Sequence, residues 1–194
     1  MRIAVYGGSF NPPHPAHVRA ARLAYAALAP DKLLVIPAAD PPHKALAAGS
    51  PTPEERFELT KLAFRDFPEA EISDVELRRG GESYTSDTVE ELAREYPGAE
   101  LWLVIGTDML TSFERWHEFR SILAGAALAV LPRNEGELPE IERCAARFEA
   151  LYGARVRIID AAPLPMSSSE MRDMLVARRG ADVLDGEVYA RIIR

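Results

Sequence analysis

The sequence predicts an α/β fold in which a parallel sheet carries helices on both faces. Three observations predict it. Short apolar runs of strand type alternate with amphipathic helical runs through all 194 residues. The strand runs are almost wholly apolar, as expected of strands buried on both faces. The segments richest in Gly, Pro and charge (7–17, 37–44, 106–108 and 132–133) each follow a predicted strand, and sheets of this kind bind ligands beyond the carboxyl ends of their strands. The expected architecture is a Rossmann-like, doubly wound parallel sheet spanning residues 1–194 as one domain.

The elements follow in order. Residues 3–6 read as a buried strand, then a Gly/Pro loop, then a helix with Val18, Ala21, Tyr25 and Leu28 on one face. Residues 33–36 read as the second strand and residues 37–53 as a long Pro-rich loop, a length that in compact domains usually marks function. The loop's length and its Lys44 suggest a lid ordered by substrate phosphates. A helix to about residue 67 should turn Phe57 and Phe64 inward, and a strand is expected over 72–77. Asp87-x-x-Glu90 has the form of a capping box, opening a helix with Val89, Leu92, Ala93 and Tyr96 on one face. Strands are expected at 101–105, ending at Gly106, and at 126–131, ending at Pro132. Pro139 suits the first turn of a helix burying Ile141, Ala145 and Phe148. A late strand at 156–159 precedes a helix capped by Ser167-x-x-Glu170 with Met171, Met174 and Leu175 inward, and a short helix starts near Leu184. No repeat, low-complexity tract or linker interrupts the pattern.

Composition narrows the function classes. The apolar share of 47% is ordinary for a globular chain. A net charge of −7 without a Lys/Arg run argues against non-specific nucleic-acid binding, yet a local pocket can still take a small polyphosphate. The one cysteine, Cys144, permits no intramolecular disulfide and reads as a small packing residue. The apolar run at the N-terminus is too short for a signal peptide, and the longest apolar run, 122–131, is too short to span a bilayer. A cytoplasmic protein without membrane partners is expected.

Two motifs carry the chemistry. Gly7-Gly8-Ser9-Phe10-Asn11-Pro12-Pro13-His14-Pro15-Ala16-His17 joins the first strand to the first helix. Glycines there allow close backbone approach, the helix start offers free N–H groups, and His14 and His17 can share one helical face. Such a site can hold a phosphate whose charge grows during reaction. The alternative is that Gly-Gly is a turn and the histidines are capping or surface residues, and the G-x-G-x-x-G dinucleotide spacing is absent. A zinc site from the two histidines lacks a third ligand. Near the other end, Ser167-Ser168-Ser169-Glu170-Met171-Arg172 opens a helix, where hydroxyls, N–H groups and Arg172 can grip phosphate oxygens; a capping box with a surface Arg is the plainer alternative.

The first motif resembles the G-x-F-x-P-x-H-x-G-H signature of the nucleotidylyltransferase superfamily: Gly8, Phe10, Pro12, His14 and His17 match, and Ala16 replaces a Gly. The second resembles that superfamily's I-S-S-T-x-I-R, with Met166 and Ser169 in place of Ile and Thr. Between them, Pro41-Pro42-His43-Lys44, Ser83-Tyr84-Thr85-Ser86-Asp87-Thr88 and Gly106-Thr107-Asp108 with Trp116 are similar to segments of the nicotinate-nucleotide adenylyltransferases. Pro132-Arg133 parallels that family's R-P-G with the order changed.

The resemblance implies transfer of AMP from ATP to nicotinate mononucleotide, giving nicotinate adenine dinucleotide and pyrophosphate. It implies an ATP site of Gly7, Gly8, Ser9, Phe10, His14, His17, Gly106, Asp108, Arg133, Ser168 and Arg172. Lys44, Tyr84, Thr85 and Trp116 would take the mononucleotide, and His14, His17, Lys44 and Arg172 would act on the reacting phosphates. Mg²⁺ would arrive on ATP, with no metal site of the protein's own. Adenylyltransferases for nicotinamide mononucleotide or phosphopantetheine are the near alternatives, and a silent nucleotide-binding protein on the same fold is the distant one. Oligomeric state is left open, a homo-oligomer included.

Overall fold

The computed structural model describes residues 1–42, 46, 49–162, 168–177 and 183–192, with backbone alone at 168, 169, 175 and 176. Strands β1 (Arg2–Gly8), β2 (Lys32–Pro37), β3 (Ala70–Ile72), β4 (Glu100–Gly106), β5 (Ala126–Leu131) and β6 (Val156–Ile158) form one sheet in the order β3-β2-β1-β4-β5-β6. Every pairing is parallel. The strand order reverses between β1 and β4, and there the crossovers leave to opposite faces and open a crevice at the strands' carboxyl ends.

The helices are α1 (Pro15–Leu28), α2 (Pro53–Ala63), α3 (Val75–Arg79), α4 (Thr85–Glu95), α5 (Thr107–Ser112), α6 (Phe119–Gly125), α7 (Leu138–Tyr152), α8 (Ser168–Val176) and α9 (Gly186–Ile192). Alternation along the strands decides which face each helix covers. Ile3, Val5, Leu34, Ile36, Leu103, Ile105, Leu128 and Val130 point to one face and pack with Val75, Val89, Leu92, Leu110, Ile122, Ile141 and Phe148 from α3 to α7. Ala4, Leu33, Val35, Val104 and Ala129 point to the other, against Ala20, Ala21, Ala24 and Leu28 of α1 and against Phe64 and Phe67. The small side chains of Ala4, Ala20, Ala21, Ala24 and Ala129 let α1 lie close on the sheet, directly behind the loop that follows β1. A third cluster, Leu59, Met171, Leu184 and Val188, holds α8 and α9 to α2. The doubly wound parallel sheet expected from the sequence is the observed fold.

Four local expectations need correction. The third strand stops at Ile72, and residues 75–79 turn into α3 behind Asp74 as N-cap; Val75 reaches the core from a helix, not a strand. Helix α4 begins at Thr85 with Tyr84 as N-cap, two residues before Asp87, so its buried face is Thr88, Val89 and Leu92 while Ala93 is exposed. Helix α2 ends at Ala63 and its inward face is Arg56, Leu59 and Thr60. Phe57 lies half-buried with the Lys61 ammonium 4.2 Å from its ring centroid. The short helices α5 and α6 were not foreseen. Met171 is buried as expected, while Ser167 lies outside the described residues. Among the described residues no helix is long and apolar enough to cross a membrane.

Candidate active site

The loop after β1 is organised by its own aromatic and imidazole rings. Phe10 has φ of 42°, a left-handed conformation that side chains seldom adopt. Its ring, 1% exposed, packs edge-on against Tyr6, His17 and Phe64 at centroid separations of 5.6, 4.9 and 6.3 Å. That burial compensates the backbone strain and fixes the path of the loop. A Cβ on Gly8 would stand 3.3 Å from the Phe10 ring, so the glycine allows the ring to lie beneath the strand end. His14 is the N-cap of α1 and Pro15 fills the first turn. The His14 N–H donates to Nδ1 of His17 at 3.1 Å, and the His17 N–H donates back to the His14 carbonyl at 2.9 Å. The two rings stand 3.7 Å apart.

This pairing has a chemical consequence. Because Nδ1 of His17 accepts, its ring proton sits on Nε2, which becomes the donor. His14 is 3% exposed, and burial, reinforced by the Arg133 charge against a smaller pull from Glu170, lowers its pKa to about 4. Its ring is therefore neutral near pH 7 before an anion arrives.

The ends of β4 and β5 supply a second group. Asp108 in the first turn of α5 pairs with Arg133 at 3.4 Å. Glu137 ties the two loops together: it accepts from the Thr107 hydroxyl, from the Arg133 backbone N–H at 2.7 Å and from the Asn134 amide at 2.6 Å. Partial burial would raise the Glu137 pKa, but these hydrogen bonds outweigh it and hold it at about 2.

A third group comes from the β2 end and the start of α4. Tyr84, the N-cap of α4, makes no side-chain cap hydrogen bond, and a helix start presents N–H groups that the helix itself does not use. Trp116 stacks on Phe113 at 4.8 Å, which holds the indole rigidly. The Ser83 hydroxyl accepts from the backbone N–H groups of Ala39 and Asp40 at 2.8 and 3.2 Å. Buried Glu76 accepts from the Thr88 hydroxyl at 2.7 Å; burial raises its pKa against hydrogen bonds from Thr88 and Ser83.

Residues from all three groups line one cleft of about 440 Å³ at the switch point of the sheet. Of the residues singled out from the sequence, it brings together Gly7, Gly8, Ser9, His14, His17, Gly106, Asp108, Arg133, Thr85 and Trp116. Two of the residues singled out do not line this cleft. The Phe10 ring is in the core, packed beneath the loop. Tyr84 lines a small hollow beside the cleft, its ring tilted against His117 at 4.3 Å and its hydroxyl donating to Glu82 at 2.6 Å. Arg172 stands behind the loop, its Nη1 donating to the Asn11 carbonyl at 2.9 Å. Lys44 and the Ser168 side chain lie outside the described residues.

Arg56, Glu76 and Glu137 were missed. Each sits in a charged stretch that reads as solvated surface. A signal for Arg56 existed: Thr52-x-x-Glu55 is a capping box, both halves formed, and it sets Arg56 in line with Leu59, Thr60 and Ala63.

Residues 5–174 match the family described as cytidylyltransferase-like. A protein of Geobacter metallireducens named probable nicotinate-nucleotide adenylyltransferase is 35% identical over 207 aligned residues, covering 100% of this chain and 95% of its own. One of the same name from Trichlorobacter lovleyi is 38% identical over 192, covering 92% of this chain and 89% of its own. Among solved structures, the Plasmodium falciparum nicotinic acid mononucleotide adenylyltransferase complexed with NaAD superposes with a TM-score of 0.80 at 16% identity, covering 99% of this chain and 94% of that one; at that identity the likeness speaks for the fold. The match over residues 5–174, joined to full-length relatives above 30% identity, places the chain in the nicotinate-nucleotide adenylyltransferase family.

Proposed function

We propose that this cleft joins the phosphate of nicotinate mononucleotide to the adenylyl group of ATP. An oxygen of the mononucleotide phosphate forms the new bond to the α-phosphorus of ATP, the bond from that phosphorus to the bridging oxygen breaks, and pyrophosphate leaves with its electron pair. The nucleophile is already anionic, so no general base is needed. Alignment and stabilisation of charge are what the protein contributes.

The observation that carries this reading is the meeting of an imidazole-bearing phosphate loop with an aromatic, N–H-rich pocket in one cleft. In it, Gly7, Gly8 and Ser9 take the ATP backbone side, and Nε2–H of His17 faces the phosphoryl group that gains charge. His14, neutral when the site is empty, gains charge affinity as phosphate approaches. Asp108 hydrogen-bonds a ribose hydroxyl, and Arg133 adds a cation at the mouth. Lys44 and Arg172 act on the phosphates, with Ser168 at the leaving pyrophosphate. Trp116 stacks on the pyridine ring, and Thr85, with the free end of α4, receives the carboxylate. Tyr84 keeps a supporting place behind Thr85. ATP enters with Mg²⁺ held by its own phosphates and waters. Among the described residues no three His, Cys, Asp or Glu side chains cluster as a cage for the ion.

The test is to supply MgATP with nicotinate mononucleotide, nicotinamide mononucleotide or phosphopantetheine, and to follow pyrophosphate release and product mass. Nicotinate adenine dinucleotide as the main product is expected. Turnover of phosphopantetheine alone, or of no acceptor, would overturn the reading.

A further inference from the structure

Arg56 is the largest side chain among the described residues with no solvent exposure. It points inward from the first half of α2, whose start is fixed by the Thr52–Glu55 capping box and whose next turn is tied back by the Thr60 hydroxyl donating to the Arg56 carbonyl at 2.7 Å. Among the described residues its guanidinium hydrogen-bonds to backbone carbonyls only. Nη1 donates to the carbonyls of Ser9 and Ala38 at 2.8 and 2.6 Å, and Nη2 donates to the carbonyl of Ala39 at 2.8 Å. Among the described residues no carboxylate lies within ion-pair distance of it. A hydrophobic side chain would fill that volume without desolvating a charge but would leave the carbonyls of Ser9, Ala38 and Ala39 without this donor. What an arginine provides is a rigid planar fork that holds several carbonyl oxygens at fixed directions.

The three carbonyls belong to two separate walls of the cleft. Ser9 is in the phosphate loop after β1. Ala38 and Ala39 open the segment after β2, whose other edge is held by Ser83: its hydroxyl accepts from the Ala39 and Asp40 N–H groups, and its own N–H donates to the Asp40 carbonyl at 2.8 Å. Ser83 lies two residues before Thr85. A continuous run of hydrogen bonds thus leads from the phosphate loop through Arg56 and residues 38–40 to the start of α4.

We propose that Arg56 is a positioning residue for the transfer: its fork sets the separation between the loop that holds ATP and residues 38–40, which through Ser83 place the start of α4 that receives the mononucleotide. The inference rests on the adenylyl-transfer reading above. In-line attack needs the reacting atoms within about 3–3.5 Å, and a misplacement of roughly 1 Å can cost about a hundredfold in rate. Each nucleotide alone would still meet an intact half-site.

The experiment compares wild type, Arg56→Ala and Arg56→Lys with MgATP and nicotinate mononucleotide. Rates are expressed per folded molecule, from titration of each nucleotide's binding. The expected result is a fall in kcat of about a hundredfold in Arg56→Ala, with each nucleotide's separate affinity within roughly threefold of wild type. Arg56→Lys keeps the charge but not the fork, so it should lose kcat likewise. Added methylguanidinium should restore the Ala variant's rate by about tenfold or more and leave wild type unchanged. An arginine of merely structural use would lower the folded fraction and leave kcat per folded molecule unaltered. If Arg56→Ala does not fold, Arg56→Lys and Ser83→Ala, which removes the acceptor on the opposite edge of residues 38–40, carry the same kcat test. A kcat within threefold of wild type in the folded variants would overturn the proposal. Absence of dinucleotide product from wild type would overturn both this and the function it rests on; failure in the variants alone touches only Arg56.

Discussion

Asp108 and Arg133 face each other 3.4 Å apart over Gly106, and a side chain on that residue would crowd both partners. A Cβ at Gly106 would stand 2.9 Å from Asp108 Oδ1 and 3.1 Å from Arg133 Nε. The pair is 56% and 44% exposed at its two side chains, so it contributes at most about 1 kcal/mol to stability, and a ligand can open it at small cost. Gly106→Ala should therefore leave the melting temperature almost unchanged while raising KM for ATP by about tenfold, or about 1.4 kcal/mol of lost binding. Steady-state kinetics beside a thermal melt checks this. A large drop in melting temperature with normal KM would show that the glycine serves packing, not the nucleotide.

His17 is held on three sides, by the His14 N–H, by the His14 ring and by Phe10. With Nδ1 engaged, the ring is held in one orientation with its proton on Nε2. Removing a single donor aimed at developing charge typically costs about a hundred- to a thousandfold in rate. His17→Ala should show that loss in kcat, with unfolding free energy lowered by only about 1 kcal/mol for the lost backbone cap. Turnover within a few-fold of wild type in a normally folded variant would remove His17 from the chemistry.

The depressed pKa of His14 makes stability depend on pH with a defined sign. The unfolded ring takes a proton near 6.5 and the folded ring only near 4. Between those values the unfolded state binds more protons, so the contribution is fully present above pH 6.5 and is lost as pH falls towards 4. At 1.36 kcal/mol per pKa unit the loss between pH 7 and pH 5 comes to about 2 kcal/mol. Urea titrations at those two pH values, on wild type and on His14→Asn, isolate it, because Asn does not titrate. The variant should lose less stability than wild type over this window by about that amount. Glu137 does not confuse the comparison: its pKa is held low, so its contribution is lost only below the ordinary carboxylate range. Equal slopes for the two proteins would mean that the folded ring titrates normally.

The sheet and the cleft were legible in the sequence because strand runs and ligand loops are local patterns. An apolar run ending in Gly106 announces both a strand and its exposed end. The paired rings of His14 and His17 could be anticipated from a spacing of three. Arg56 could not be read as buried in this way, since its partners are carbonyls of Ser9, Ala38 and Ala39, and every residue type carries a carbonyl. The burial of the Phe10 ring was not legible for a related reason: a motif states that an aromatic is required, not whether its ring faces the ligand or the core. Residues 75–77 read as strand because the five residues of α3 are too few for helical periodicity to outweigh an apolar, β-branched beginning. Glu137 entered the site through a turn whose geometry brings Thr107, Arg133 and Asn134 to one carboxylate, a convergence from two separate loops.

Selectivity for the acid mononucleotide over the amide should reside in the start of α4. A carboxylate only accepts hydrogen bonds, so a pocket of donors suits it, whereas an amide turns an NH₂ towards one of them and leaves both groups unpaired. Trp116, stacked on Phe113, offers the same face to either ring, so Trp116→Ala should lower kcat/KM for both substrates alike, leaving their ratio unchanged. Thr85 is the first residue of α4, and Tyr84 before it has φ −74° and ψ 129°, an extended conformation that also suits the residue before a proline. Proline is well tolerated at this first helical position, where its missing N–H breaks no bond within the helix. Thr85→Pro therefore deletes the backbone donor and the hydroxyl together, while Thr85→Ala deletes the hydroxyl alone. If the backbone N–H carries recognition, the Ala variant should lose less than about threefold in kcat/KM for the acid. The Pro variant should lose about ten- to a hundredfold, the scale of one buried hydrogen bond to a charge. The amide substrate should be hurt less by Thr85→Pro, so the preference narrows. The measurement is kcat/KM for both mononucleotides under identical MgATP in the two variants and wild type. Equal losses for acid and amide in Thr85→Pro would show that the helix start orients the ring without reading its substituent.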